Sequence, residues 1–91
     1  MEARFRLGKT VITPGALRCF VEAEDNPATY LHRHVTGDWG ELSEEDKQEN
    51  ELSVRQGFRI LSAYTLSSEV KIWIITEENR ELTTILLPSE Y

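Results

Sequence analysis

The 91-residue sequence contains one cysteine, Cys19, and no long apolar run. A single thiol excludes an internal disulfide and a four-cysteine zinc site, and it is typical of a reducing compartment, so we expect a cytoplasmic protein. The longest purely apolar run, residues 72–75, is far shorter than the roughly 20 residues of a membrane-spanning helix. The first residues lack the apolar segment of a signal peptide, and none is expected. Cys19 is interpreted as a small buried hydrophobic residue.

Motifs for phosphate binding and nucleophilic catalysis are also missing. The chain has neither a Walker loop nor G-x-G-x-x-G, so no phosphate cradle is indicated. It has no G-x-S-x-G, and its cysteine and histidines have no spacing typical of nucleophilic catalysis. The two histidines, His32 and His34, lie in a predicted helix, where positions i and i+2 point to different sides. They are therefore poorly placed to share a metal ion, and we expect no metal and no cofactor.

Basic residues are few, and charge is unevenly distributed. The net charge is −6, and residues 21–51 alone contribute −8, from two bases and ten acids. Because acidic surface repels phosphates, we expect no direct nucleic-acid binding and no membrane binding. A protein partner with a basic surface is expected instead, and the oligomeric state is left open. The carboxylates assigned to this partner are Asp38, Glu41, Glu44, Glu45, Asp46 and Glu49.

Capping signals predict three helices in the first part of the chain. Thr13-Pro14 and Asn26-Pro27 each combine an N-cap residue with proline at the first helical position. Ser43 precedes three acids that favour the positive end of a helix dipole. Gly37 and Gly57 are expected to end the second and third helices in left-handed conformations. The predicted helices span residues 14–24, 27–36 and 44–56. The third has few apolar residues and is expected to be mostly solvated.

After Gly57 the pattern changes to the two-residue alternation of strands. Strands are predicted over residues 58–66, 70–75 and 82–87. Short turns between them favour an antiparallel meander, with Asn79 as the left-handed residue of the second turn. Alternation over residues 4–7, resuming at 10–12, predicts an edge strand.

We therefore expect one α+β domain, with two to three N-terminal helices packed on one face of a three- or four-stranded antiparallel sheet. Residues 1–12 would form the edge strand, 13–57 the helical part and 58–91 the meander. The expected core residues are Leu17, Phe20, Leu31, Trp39, Ile60, Ile72, Ile74 and Leu86.

Residues 34–40 combine an imidazole, a carboxylate, an indole and two glycines where helices give way to strands. In a structural interpretation, Asp38 bonds backbone N–H groups and Trp39 plugs the joint, its indole N–H needing one partner. His34 is then semi-buried against a carboxylate. In a functional interpretation, His34 and Asp38 line a cleft covered by Trp39.

The layout also resembles that of barnase-like microbial ribonucleases, as does Arg59-Ile60-Leu61-Ser62 followed by Trp73 and Thr76-Glu77. This alternative implies a metal-independent ribonuclease or related hydrolase using His34, Arg59 and Glu77, with Asp38 and Arg80 nearby. The acting side chains would have to lie within about 8 Å of a common point. In that family the catalytic histidine comes late in the chain, whereas no histidine follows His34 here.

A second resemblance covers nearly the whole chain from Pro14 onward. It rests on the 34–40 stretch, Ser62-Ala63-Tyr64, residues 73–77, Arg80, residues 83–88 and Glu90-Tyr91. These are similar to a group of small bacterial proteins from plasmids and integrated elements, variously labelled plasmid-related protein or type I restriction endonuclease subunit. The resemblance implies a bacterial cytoplasmic protein that travels with mobile DNA, and our leading hypothesis is that it is not an enzyme. Such a protein would act by binding other proteins, for example as an anti-restriction inhibitor of a nucleic-acid-binding defence enzyme. A third hypothesis is oligomerisation, favoured by a wide apolar patch on the second sheet face.

Overall fold

The computed structural model describes residues 2–91 and shows an α+β fold. Its elements are β1 (Lys9–Ile12), α1 (Pro14–Ala23), α2 (Pro27–Val35), α3 (Glu44–Gln56), β2 (Ile60–Thr65), β3 (Lys71–Thr76), β4 (Leu82–Leu86) and a 3₁₀ turn, Pro88–Glu90. Side-chain oxygens of Thr13, Asn26 and Ser43 accept the first backbone N–H groups of the three helices. These caps explain why each helix begins where the sequence predicts.

The four strands form a mixed sheet in the order β1-β4-β3-β2. The pairs β2–β3 and β3–β4 are antiparallel, as predicted from the short turns. The expectation of an entirely antiparallel sheet is wrong, because β1 pairs in parallel with β4, with Lys9 opposite Leu82 and Ile12 opposite Ile85. Turn signals describe neighbouring strands only, and a parallel pair needs a long connection, here all of α1 to β3.

The core lies between the sheet and the first two helices. Buried residues of α1, β2, β3 and β4 form it: Ala16, Phe20, Tyr64, Leu66, Ile72, Ile74 and Ile85. Leu17 does not belong to it and is 47% exposed, while Ala16 is buried in its place. Leu31 only packs against this cluster as a partly buried residue. The remaining core predictions, namely Phe20, Trp39, Ile60, Ile72, Ile74 and Leu86, are confirmed.

The third helix lies along the free edge of β2 rather than on the sheet face. The Asn50 amide donates to the carbonyl of Leu61 at 2.7 Å and accepts the Leu61 N–H at 3.3 Å. Next along the same edge, Ala63 pairs with Gly40 in an isolated parallel bridge. Gly40 has φ +77°, and a Cβ there would clash with the Ala63 carbonyl oxygen. The outer edge of β2 is therefore closed, which also fixes the position of α3.

The predicted strand at residues 4–7 does not form. Instead, this N-terminal segment crosses the end of α2, where the Arg4 N–H donates to the Val35 carbonyl at 2.8 Å. The Phe5 ring lies edge-on to His34 and stacked with Trp39, with centroids 5.2 and 6.1 Å away. Strand structure begins only at Lys9, beside β4.

The turn between β3 and β4 differs from the prediction in one residue. Arg80, at φ +59°, takes the left-handed conformation that was expected of Asn79. Its guanidinium donates to the backbone carbonyls of Ser53, Phe58 and Glu77 at 2.9, 2.7 and 3.0 Å. These bonds hold the turn against the end of α3 and offset the steric cost of the left-handed backbone.

Candidate functional site

The exposed face of α3 carries most of the carboxylates assigned to a partner. Glu44, Glu45, Asp46 and Glu49 are all exposed. Within residues 2–91, the ion pairs join Arg4 to Glu51 and Arg33 to Asp38, so these four acids have no cationic partner there. The first three occupy the first turn of the helix, where its dipole favours negative charge.

The side of α3 that contacts the sheet determines where the acidic side chains of this helix point. Asn50 and Ser53 are the buried residues of the helix. Asn50 is bonded to the backbone of β2, and the Ser53 carbonyl accepts from Arg80. Both contacts tie the same side of α3 to the sheet. Glu44 and Glu45 therefore point outward, whereas Asp46, one turn before Asn50, lies beside the contact side. Leu52, 43% exposed, lies one turn beyond Glu49 on the outward side.

A groove of about 270 Å³ separates the acidic part of α3 from the start of β2. It is lined by Leu42, Asp46, Glu49, Asn50, Ser53, Arg59 and Leu61. Arg59 is the basic residue among those that line the groove. Its guanidinium lies over the Tyr91 ring, 5.4 Å from the ring centroid. The groove thus combines two carboxylates from α3 with two leucine side chains.

Asp38 and Glu41, the other two assigned acids, are exposed but bonded within the protein. Asp38 pairs with Arg33 at 2.7 Å and accepts the Gly40 N–H at 3.2 Å. The Arg33 hydrogen bond is the main cause that lowers the pKa of Asp38. Glu41 accepts the Thr65 hydroxyl at 2.8 Å. Both therefore shape the loop before α3 and are less free to bind a partner.

Glu51 is an important acid that the sequence reasoning did not single out. Its carboxylate accepts two bonds from Arg4, at 2.7 and 2.8 Å, and one from the Trp39 indole at 2.9 Å. These bonds lower the pKa of Glu51 to about 2, with the Arg4 hydrogen bond contributing most. Trp39 is buried at the joint as predicted, and Glu51 supplies the partner its N–H needs.

His34 is completely buried. The prediction that it bonds to a carboxylate is wrong, because both its partners are hydroxyl groups. Its Nδ1 lies 2.6 Å from the Ser62 hydroxyl and its Nε2 lies 2.9 Å from the Thr76 hydroxyl. Burial, together with the nearby charge of Arg80, lowers the pKa of His34 to about 3. The imidazole is therefore neutral at physiological pH and is shielded from any substrate.

The structure places His34 and Arg59, two of the residues of the hydrolase alternative, on opposite faces of the sheet. His34 and its partner Ser62 lie on the helix-covered face of the sheet, with the buried side chains of β2. Arg59 lies on the other face, against Tyr91, whose ring packs on Trp73. Glu77 follows β3 at the sheet end, and Arg80 is bonded to backbone carbonyls. The groove described above is lined by Arg59 and not by His34.

The oligomerisation hypothesis concerns the face of the sheet that α1 and α2 leave uncovered. Ile75 and Leu86 on this face are buried, and Tyr91 packs edge-on against Trp73 with centroids 5.6 Å apart. The centre of the face is therefore covered by its own side chains and the C-terminal residue. Trp73 is partly buried and Tyr91 is 64% exposed, and the oligomerisation hypothesis stays a prediction.

Residues 2–91 contain no cluster of metal-ligating side chains. In this range, no three or more histidine, cysteine, aspartate or glutamate side chains are grouped to hold a metal ion. None of the helices described there combines the length and apolar character needed to span a bilayer. Comparisons with protein-family models, with curated proteins and with solved structures find no match to this chain.

Proposed function

We propose that this protein is a small acidic interaction module that binds a basic surface on another protein. The observation that carries the proposal is the group of four exposed carboxylates in the first half of α3 that have no cationic partner within residues 2–91. Their helix is fixed by Asn50 and Arg80, so the charges are presented from a rigid support. Preorganised charge of one sign attracts a surface of opposite sign and raises its association rate.

The kind of partner follows from the charge and from the resemblance to proteins of mobile DNA. Enzymes of defence and restriction systems hold nucleic acid on rows of lysine and arginine. A rigid acidic helix can occupy such a row and exclude the phosphates. Leu52 adds an apolar contact beside the acids, which suits the mixed composition of protein interfaces. We therefore propose inhibition of a nucleic-acid-binding defence or restriction enzyme as the biological role.

The hydrolase alternative lacks comparable support. It requires an acid, a base and a cation around one substrate, whereas His34 is buried and lies on the opposite sheet face from Arg59. A neutral, buried imidazole with both nitrogens bonded has no route to a phosphodiester.

The test is a triple charge reversal, Glu44→Lys, Glu45→Lys and Glu49→Lys, compared with the unaltered protein in capture experiments from a bacterial host lysate. Once a captured protein is purified, its Kd is measured at several salt concentrations. We expect at least a hundredfold weaker binding and a loss of salt dependence, because attraction becomes repulsion. Lysines at a helix N-terminus cost about 1 to 2 kcal/mol in total, so the fold should persist.

The matched control reverses three exposed acids outside the partner segment, Glu22, Glu69 and Glu78, and makes the same change in net charge. It should bind as tightly as the unaltered protein to within a few fold. Unaltered binding by the α3 variant would refute the proposal, as would an equal loss in both variants.

A further inference from the structure

We propose that the groove between α3 and β2 is a socket for the guanidinium of one arginine side chain of the partner. This inference rests on the proposed function and assigns a defined contact to it. The groove is lined by Asp46 and Glu49 from α3, by Arg59 and Leu61 at the start of β2, and by Leu42 from the preceding loop.

The acidic wall has the geometry to flank one cation. Asp46 and Glu49 are three residues apart on α3, so their side chains are neighbours on the same helix surface. Both line the groove, and neither forms an ion pair within residues 2–91. Two carboxylates facing one space can each accept N–H bonds from a planar guanidinium, which has five donors in a fixed arrangement.

The groove's own cation is held away from these acids. Arg59 lines the groove but lies over the Tyr91 ring, 5.4 Å from its centroid. A cation–π contact of this kind stabilises the guanidinium in place. The carboxylates are therefore left for a cation from outside, while Arg59 opposes that cation at longer range.

The remaining lining matches the rest of an arginine side chain. Leu42 and Leu61 offer apolar surface for its methylene groups. Ser53 is only 7% exposed and lines the groove, and its hydroxyl takes part in none of the side-chain hydrogen bonds of residues 2–91. Because no fully buried side-chain oxygen in that range lacks a partner, this hydroxyl is open to the groove. This open hydroxyl is a further ligand for a guanidinium N–H.

The size of the groove also favours a side chain over a larger ligand. Its volume of about 270 Å³ lies below the ~300–1,000 Å³ of pockets for drug-sized molecules. We commit to arginine over lysine because a guanidinium can bond two carboxylates and a hydroxyl at once, whereas an ammonium is a compact point charge.

The experiment is a titration of the ¹⁵N-labelled protein with Nα-acetyl-arginine amide, followed by NMR. The lysine analogue and the neutral citrulline analogue serve as comparison probes. We expect weak, saturable binding of the arginine probe, with amide shifts concentrated at Asp46, Glu49 and Leu61. The lysine probe should bind several-fold more weakly, and the citrulline probe should not bind.

Three variants locate the contact. Asp46→Asn should weaken binding of the arginine probe about tenfold, because one of the two carboxylates is lost. Arg59→Gln should strengthen it several-fold, because the opposing cation is removed. Glu45→Gln changes net charge as Asp46→Asn does, but Glu45 lies outside the groove, so its effect should stay within twofold. Circular dichroism of each variant checks that the fold is retained.

Other outcomes would overturn the proposal. Equal weakening by Asp46→Asn and Glu45→Gln would show diffuse charge attraction instead of a socket. Equal binding of the lysine and arginine probes would refute the arginine assignment. If the triple reversal abolishes capture of the partner while Asp46→Asn and Arg59→Gln leave its Kd unchanged, the socket proposal fails and the proposed function stands. If the triple reversal leaves capture unaltered, the proposed function fails.

Discussion

At the residue scale, His34 heads a chain of buried hydroxyls whose hydrogen positions can be worked out. Thr83 donates to the Leu7 carbonyl at 2.7 Å, since a carbonyl can only accept. A hydroxyl has one hydrogen, so Thr83 must accept from Thr76, 2.8 Å away. Thr76 has then used its own hydrogen and accepts from Nε2 of His34. Nε2 therefore carries the imidazole proton, and Nδ1 accepts from Ser62.

This neutral, fully bonded imidazole predicts a pH dependence of stability. The pKa of His34 is about 3 in the folded protein, against 6.5 as its ordinary value. Between these values the unfolded chain binds a proton that the folded protein excludes, so stability falls as pH falls through that range. The contribution of His34 approaches about 1.4 kcal/mol per pH unit well below pH 6.5. Urea unfolding at closely spaced pH values measures it.

The interval from pH 6.5 to 5 largely separates this effect from the acids, because their ordinary pKa values of 3.8 and 4.5 lie below it. The pKa values of Asp25, Asp38, Glu51 and Glu90 are lowered, so these groups lose protons more readily when folded and destabilise the protein on protonation only at lower pH. In a His34→Gln variant, stability should be lower at pH 7 and nearly flat over this interval. An unchanged slope in the variant would contradict the assignment.

At the scale of elements, local chemistry made the helices predictable and tertiary packing decided what they bury. The caps at Thr13, Asn26 and Ser43 involve neighbouring residues, so sequence reveals them. Leu17 was wrongly expected in the core because α1 offers two overlapping apolar stripes. The sheet accepts the stripe with the small Ala16, which lets α1 approach closely, and leaves Leu17 exposed.

The candidate site was predictable in part for the same reason. The acids of α3 follow a capping residue in an apolar-poor helix, so their exposure could be read from the sequence. The groove could not be predicted from the sequence. Arg59 and Leu61 come from the start of β2, and no local sequence pattern shows that they lie close to Asp46 and Glu49. Asn50 resembles any polar surface residue in sequence, yet it is buried against β2.

Asn50 yields a prediction about how α3 is attached. Its amide occupies the place of a neighbouring strand, so Asn50→Ala leaves the Leu61 N–H and carbonyl without partners. Unsatisfied buried backbone groups cost about 1 to 3 kcal/mol, and we expect destabilisation of about 2 kcal/mol. Gln48→Ala, at an exposed position of the same helix, should change stability by less than about 0.5 kcal/mol.

Hydrogen exchange provides a second measurement of the same contact. The Leu61 amide should exchange faster in Asn50→Ala than in Gln48→Ala, because local opening of this edge becomes easier. Equal protection of Leu61 in both variants would show that the Asn50 bonds do not hold the edge.

At the scale of the whole molecule, the sheet joins the two ends of the chain. β1 pairs with β4 across an interval that contains all three helices, whereas β2, β3 and β4 follow one another through short turns. The N-terminal segment adds long-range bonds, from Arg4 to Glu51 and from Thr83 to Leu7. Sequence patterns could not show this closure, because strand pairing between distant segments has no local signature.

This topology predicts the order in which the sheet forms. Closing a loop costs more entropy as its length increases, so the β2–β3–β4 meander should assemble before β1 docks on β4.

Ile74 lies in β3, fully buried, and pairs with Ser62 and Ile85 on either side. Ile74→Val, costing about 1 kcal/mol, should mainly slow folding, with a φ-value above about 0.5. Ile12→Ala in β1 should mainly accelerate unfolding, with a φ-value near 0. Stopped-flow folding and unfolding in urea measures both rates, and a higher φ-value at Ile12 than at Ile74 would show that the two ends meet first.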